Sequence, residues 1–186
     1  MTRFANKNSW LNWVSSLPPE QRKILNTGVM AASVLLCLLL LPARLPGMQL
    51  LGIAPDWLLI WVVTWSVKRT PTEGCFVGIV IGLLQDAMTA PFPTHALSLG
   101  LVGLLTSLLQ RQNSIAEDLV SVALLVFGMA IVAETVMAFQ FGLMGDRPIA
   151  DIWTDHQRIA LASAILSSLW APAIYLPLTR WWKSID

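Results

Sequence analysis

The sequence feature that most constrains the fold is a run of eighteen residues, 24–41, that contains no charged side chain. A helix needs about 20 apolar residues to cross the hydrocarbon core of a bilayer, and this run nearly supplies them. Pro42, Arg44, Pro46 and Gly47 follow and end it. A cleavable signal peptide is the alternative, but no small-x-small cleavage site follows the run. The first predicted element is therefore a transmembrane helix.

Five further apolar segments follow along the chain, each bounded by prolines, glycines or charges. The residues are 55% hydrophobic and 12% charged, against about 25% charged in soluble domains, which excludes a water-soluble globule. We therefore predict an all-α, polytopic integral membrane bundle of about six transmembrane helices, over residues 24–41, 48–67, 74–90, 97–109, 119–144 and 159–178.

The predicted bundle forms one domain, 24–182, between an N-terminal segment, 1–23, and a short tail, 183–186. In the N-terminal segment, Trp10 and Trp13 continue at helical spacing into Val14 and Leu17. Such an apolar stripe is typical of an amphipathic helix that lies in the membrane interface.

Lysine and arginine positions predict the orientation of the bundle. In the six-span arrangement, nine basic residues lie on the side of the N-terminus and three on the other side. Basic residues in short loops are retained in the cytoplasm. Both termini are therefore expected to be cytoplasmic, and the turns at Pro93 and Asp151 periplasmic.

Three acids fall at membrane depth: Asp56, Asp86 and Glu134. A carboxylate at the bilayer centre costs about 2.5 to 3.5 kcal/mol even on a lenient scale, so each needs a proton, a hydrogen bond, water or a partner's cation. We interpret them as partner-binding or buried polar residues that share one outward-facing pocket. The alternatives are purely structural: Asp56 in the first turn of a helix that starts at Pro55, and Asp86 bonded to Thr89 or a neighbouring helix. For Glu134 the alternative is pairing with Thr135 or with serine residues of the last span.

Three glycines recur at intervals of four in the third span, at Gly74, Gly78 and Gly82. Residues four apart share one face of a helix, and small residues at this spacing let a second helix approach closely. This pattern predicts a helix-packing surface.

Signatures of catalysis and metal binding are missing from the sequence. It contains no Gly-x-Ser-x-Gly elbow, no His-Glu-x-x-His pair and no Walker lysine loop. Cys37 and Cys75 lack metal-ligand spacing, and we interpret His95 and His156 as solvated surface residues. The net charge of +1 offers no broad basic surface for nucleic acid. We expect a non-enzymatic protein without a cofactor, a metal or a nucleic-acid partner.

Four short motifs stand in a specific order: PDWLLI at 55–60, GIVIGLLQD at 78–86, HAL at 95–97 and LWAP at 169–172. In order and spacing they resemble the MreD family of bacterial rod-shape-determining membrane proteins. The resemblance is carried mainly by residues 54–109, and the length and six apolar segments fit the family over the whole chain.

The resemblance implies a scaffold subunit of the cell-wall elongation complex in the bacterial inner membrane. Such a subunit binds MreC and links MreB filaments to RodA and a penicillin-binding transpeptidase. Membrane lipid and further copies of the chain are additional expected partners. The family also resembles, in fold, the substrate-binding subunits of energy-coupling-factor vitamin transporters. A small-molecule transporter subunit, with Trp57 and Trp61 beside Asp56 and Glu134 in its pocket, is therefore the alternative function.

Overall fold

A computed structural model of the chain describes residues 18–43, 49–50, 52–89, 93–113, 118–145 and 149–185. Six helices and no strands occur in these ranges. In chain order the helices are α1 (Pro19–Leu40), α2 (Trp57–Ser66), α3 (Pro71–Met88), α4 (His95–Asn113), α5 (Leu119–Met144) and α6 (Ile149–Ile185). The predicted interfacial helix before residue 18 lies outside the described residues.

Local capping explains where several helices begin and end. At the start of α3, Thr70 and Glu73 form a reciprocal capping box, in which each side chain accepts a hydrogen bond from the other residue's backbone N–H. Asp118 caps α5 by accepting from the Ser121 backbone N–H, and hydrogen bonding to Ser121 lowers the pKa of the Asp118 carboxyl. Gly145 ends α5 in the left-handed conformation, at a φ of 72°.

Helix α2 lies at the centre of the bundle and contacts each of the other five helices. Nine of its ten residues are buried, so its surface is apolar nearly all round. The expected second span, 48–67, was too long at its start, since the helix begins only at Trp57. Pro55 and the cap at Asp56 explain the late start, because a proline restricts the residue before it and an aspartate cap marks a helix N-terminus.

The other helices pack as two pairs around this centre. The most extensive contact joins α3 to α4, and the next joins α5 to α6. Helix α6 has 37 residues and continues through Pro172 and Pro177. Its small residues Ala164, Ser167 and Ala171 are fully buried, so this face points into the bundle.

Three helices of the described part are long and apolar enough to cross a membrane: α1, α5 and the 152–185 portion of α6. Helix α2 is apolar but has only ten residues. The observed helices thus match the predicted segments in number and order, while the number of membrane crossings stays a prediction.

Candidate functional site

Asp56 ties the start of the central helix to α6. Its carboxylate Oδ1 accepts a hydrogen bond from the Leu59 backbone N–H at 3.0 Å, which makes it the N-cap of α2. Its own backbone N–H donates to the Ser167 hydroxyl, also at 3.0 Å. The residue is therefore a cap rather than part of the first helical turn, and Pro55 lies outside the helix.

Asp86 meets the start of α4 across the turn that follows α3. One carboxylate oxygen accepts from the Thr94 hydroxyl at 2.6 Å. The other accepts from the His95 backbone N–H at 2.8 Å and lies 2.6 Å from His95 Nδ1. Thr89, the nearer candidate, donates its hydroxyl to the Gln85 carbonyl instead. Asp86 thus bonds to the neighbouring helix.

A second set of hydrogen bonds connects α5 to the start of α4. The Gln140 side chain accepts from the Thr94 backbone N–H at 3.0 Å and donates to the Thr94 carbonyl at 3.1 Å. The Thr94 hydroxyl accepts from the Ala96 backbone N–H. Side chains of α3, of α5 and of Thr94 in the turn therefore satisfy three consecutive backbone N–H groups, those of residues 94–96. The last two belong to the first turn of α4 and would stay unpaired in an isolated helix.

Glu134 differs from the two aspartates, since it makes no hydrogen bond to any residue that the structure describes. The hydroxyl of Thr135 beside it donates to the Ile131 carbonyl, within the helix. The alternative pairing of Glu134 with Thr135 is therefore not formed, and neither is one with a described serine of α6.

A cavity of about 240 Å³ brings Asp56 and Glu134 to one site, together with Gln85, His95 and Ser163. Asp86 does not line it but holds His95, which does. Neither Trp57 nor Trp61 belongs to its wall. The Trp57 ring packs edge-on against Trp170, and Trp61 donates its ring N–H to the Ser33 hydroxyl of α1 at 2.8 Å.

The three spaced glycines lie against the backbone of α4. A Cβ atom added at Gly74 would lie 2.5 Å from the Gly103 carbonyl oxygen. One added at Gly78 would overlap the Leu99 carbonyl, and one at Gly82 would overlap the backbone of Ala96. No side chain larger than hydrogen fits at these three places without moving α4.

Sequence reasoning missed three residues that shape this centre: Gln85, His95 and Gln140. His95 was expected at the solvated surface, but its side chain is 24% exposed and is bound to Asp86. The available signal was an acid near the end of one helix and a Thr-His pair near the start of the next, which favours capping across the turn. Gln140 gave no comparable signal, because its partner is 46 residues away.

In the described residues, the fold is that of an all-helical membrane protein. Its interior polar side chains form hydrogen bonds to helix ends and line one cavity. The family profile described as rod shape-determining protein MreD matches residues 21–184. The chain belongs to the MreD family. Searches of curated proteins and of solved structures found no match.

Membership establishes a rod shape-determining membrane protein, from a family of non-catalytic proteins that determine cell shape. Together with the three long apolar helices, it indicates a protein of the bacterial inner membrane. The family match gives no support to the vitamin-transporter alternative. The expected likeness of fold to energy-coupling-factor subunits stays a prediction.

Proposed function

We propose that this chain is a non-enzymatic scaffold subunit of the cell-wall elongation complex, which binds MreC and thereby links MreB filaments to RodA and a penicillin-binding transpeptidase. The observation that carries the proposal is the family match over residues 21–184. It covers the whole bundle, from the first turns of α1 to the last turn of α6.

The described surface suits partners inside the membrane. Large apolar side chains are exposed on several helices, such as Leu36 of α1, Phe76 of α3 and Phe139 of α5. Because lipid tails are as apolar as these side chains, helix association in a bilayer depends on shape and hydrogen bonds. A scaffold must therefore present its faces in a fixed arrangement.

The internal contacts supply that fixed arrangement. The glycines of α3 bring its backbone against α4, and Asp86 and Gln140 hold the start of α4 to α3 and α5. Trp181 donates its ring N–H to Asn26, which connects the far end of α6 to α1. These links fix the relative positions of the faces that partner helices would contact.

We further propose that the bundle crosses the membrane several times with both termini in the cytoplasm. The guanidinium of Arg69 lies 5.1 Å from the centre of the Trp65 ring, just after α2. Basic and aromatic residues of this kind are enriched at the membrane interface, and basic ones on its cytoplasmic side. This contact supports a position of the turn between α2 and α3 at the inner surface of the membrane.

Cell shape tests the proposed function directly. We would deplete a rod-shaped bacterium of its own MreD-family protein, express this chain, and measure the ratio of cell length to width. Rods are expected with the unchanged chain and with Gly128→Leu, whose position has open space around it. Rounded cells are expected with Gly78→Leu. Round cells despite normal membrane levels of the unchanged chain would contradict the proposal.

A further inference from the structure

The cavity around Asp56 and Glu134 has two carboxyl groups in its wall, together with the side chains of His95, Ser98 and Ser163. Among the residues described, no lysine or arginine lines it. Asp56 uses one oxygen for the Leu59 backbone, whereas Glu134 has no hydrogen bond to the described part of the chain. Two carboxyl groups therefore face one space whose described wall holds no lysine or arginine.

Gln85 provides an independent sign that this space receives a donor. Its side chain lines the same cavity, and the residue is only 6% exposed. Its Oε1 atom is buried without a hydrogen-bond partner in the structure as described. Buried polar atoms are nearly always paired in native proteins, so an unpaired one on a residue that lines a cavity points to a missing donor.

Size and ligand type favour an organic cation. The cavity holds about 240 Å³, whereas one water needs only about 10 to 15 Å³. Within the described ranges no three His, Cys, Asp or Glu side chains come together as a metal site. A primary ammonium group carries three N–H donors, which matches the three acceptor groups of Asp56, Glu134 and Gln85.

A second cavity adjoins the first and indicates which kind of molecule the ammonium group belongs to. This second cavity, of about 170 Å³, shares Glu134 and Met137 with the first and lies between α5 and α6. Its other lining residues are Asp155 and His156 and the apolar Ala138, Phe141, Ile152 and Ile159, of which Phe141 and Ile159 are 45% and 40% exposed. The two-carbon stem beside the ammonium group and the phosphate that follows it would thus leave the first cavity between largely apolar side chains of α5 and α6, where the His156 ring can donate a hydrogen bond to a phosphate oxygen.

We propose that the cavity of Asp56, Gln85 and Glu134 binds the primary ammonium headgroup of an aminophospholipid. Glu134 stands at the junction of the two cavities and is the central acceptor. Asp56, at the N-cap of α2, and Gln85, on α3, bind the remaining N–H groups. This inference does not depend on the proposed role in the elongation complex.

Lipid retention by the full-length protein tests the proposal. The protein would be purified in detergent with equal amounts of phosphatidylethanolamine, phosphatidylcholine and phosphatidylglycerol, and the bound lipid counted by native mass spectrometry. We expect phosphatidylethanolamine to be retained at least about tenfold over phosphatidylcholine, the ratio that 1.4 kcal/mol of binding free energy gives. Phosphatidylcholine has a trimethylated headgroup and therefore donates no N–H.

Variants connect the selectivity to the cavity. Glu134→Gln and Asp56→Asn keep the side-chain shapes, and asparagine preserves the helix cap at position 56. Both should lose the tenfold preference, whereas Glu20→Gln, an exposed acid on α1, should keep it. Melting temperatures of the same samples separate loss of binding from loss of folding.

Free ethanolamine distinguishes the two sources of the same headgroup chemistry. Preferential retention of phosphatidylethanolamine supports the lipid as ligand. Binding of ethanolamine alone, abolished by Glu134→Gln, supports the ammonium site with a free amine as its source. Equal retention of all three lipids without ethanolamine binding, or a preference that survives both variants, would overturn the proposal.

Discussion

Asp86 and His95, nine residues apart, meet across the turn between α3 and α4, where one carboxylate oxygen contacts both the backbone N–H of His95 and its ring Nδ1 at 2.8 and 2.6 Å. The negative charge thus lies at the N-terminal end of α4, where the helix dipole favours it. The Asp86 side chain is 9% exposed, so solvent competes little for these bonds. The pair locks the end of α3 to the start of α4.

Asp86→Asn is expected to destabilise the protein. The change keeps the shape but removes the charge from an acceptor that receives bonds from Thr94 and His95. Hydrogen bonds to charged groups contribute about 1.5 to 3 kcal/mol, so a loss of about 1 to 3 kcal/mol is expected. Thermal unfolding in a fixed detergent would measure it.

Asp118→Asn is the matched control for this change. Asp118 caps α5 at an exposed position, and asparagine caps a helix about as well as aspartate. Its melting temperature should stay close to that of the unchanged protein. Equal melting of the Asp86 and Asp118 variants would show that the buried charge at position 86 contributes nothing.

Gly78→Ala should be destabilising although it adds a single methyl group. That group would overlap the Leu99 carbonyl of α4, and overpacking typically costs about 1 to 3 kcal/mol. The same substitution at Gly128 enters open space on α5. There alanine should be neutral or stabilising by up to about 1 kcal/mol, because it favours the helix more than glycine does.

The opposite signs at the two glycines are the informative result, again from thermal unfolding in detergent. A purely intrinsic helix preference would raise stability at both positions. If Gly78→Ala and Gly128→Ala both raise the melting temperature, the close contact of α3 with α4 is wrong.

Membrane orientation can be tested by cysteine labelling in intact cells. Gln157, on the exposed early part of α6, is expected outside, whereas Thr72, after the turn that holds Lys68 and Arg69, is expected inside. Cys75 is partly exposed and would first be changed to serine. Cys37 is buried and can stay. A membrane-impermeant maleimide should label Gln157→Cys and should reach Thr72→Cys only after permeabilisation. The reverse labelling pattern would show that the bundle has the opposite orientation in the membrane.

Apolar runs predicted the number and order of the helices, because the segments that avoid charge are also the ones that pack or face lipid. They missed the first ten residues of α6, 149–158, so Asp151 lies in a helix and not in the predicted turn. Residues 119–144 were predicted as a span and form α5 with those bounds. The glycine spacing likewise pointed to a face that lies against another helix. Both are local patterns, which a single sequence displays.

Long-range pairing accounts for what could not be predicted. Glu134 and Asp56 lie far apart in the chain, and no spacing rule indicates that they line one cavity. The Gln140 link to Thr94 depends equally on how α5 docks beside α4. Pro55 indicated that α2 is short. Hydropathy alone nevertheless extended the predicted span back to residue 48, across Gly52, whose φ of 82° is not helical.

Purification from membranes of a rod-shaped bacterium, in mild detergent and with an affinity tag on this chain, tests the central claim most directly. The measured quantity is the molar ratio of MreC to tagged protein. We expect a ratio near one for the unchanged chain and for Gly128→Ala, and a clear fall for Gly78→Leu, which displaces α4. If the unchanged chain is folded and present at normal levels but brings down no MreC above an untagged control, the scaffold role is contradicted.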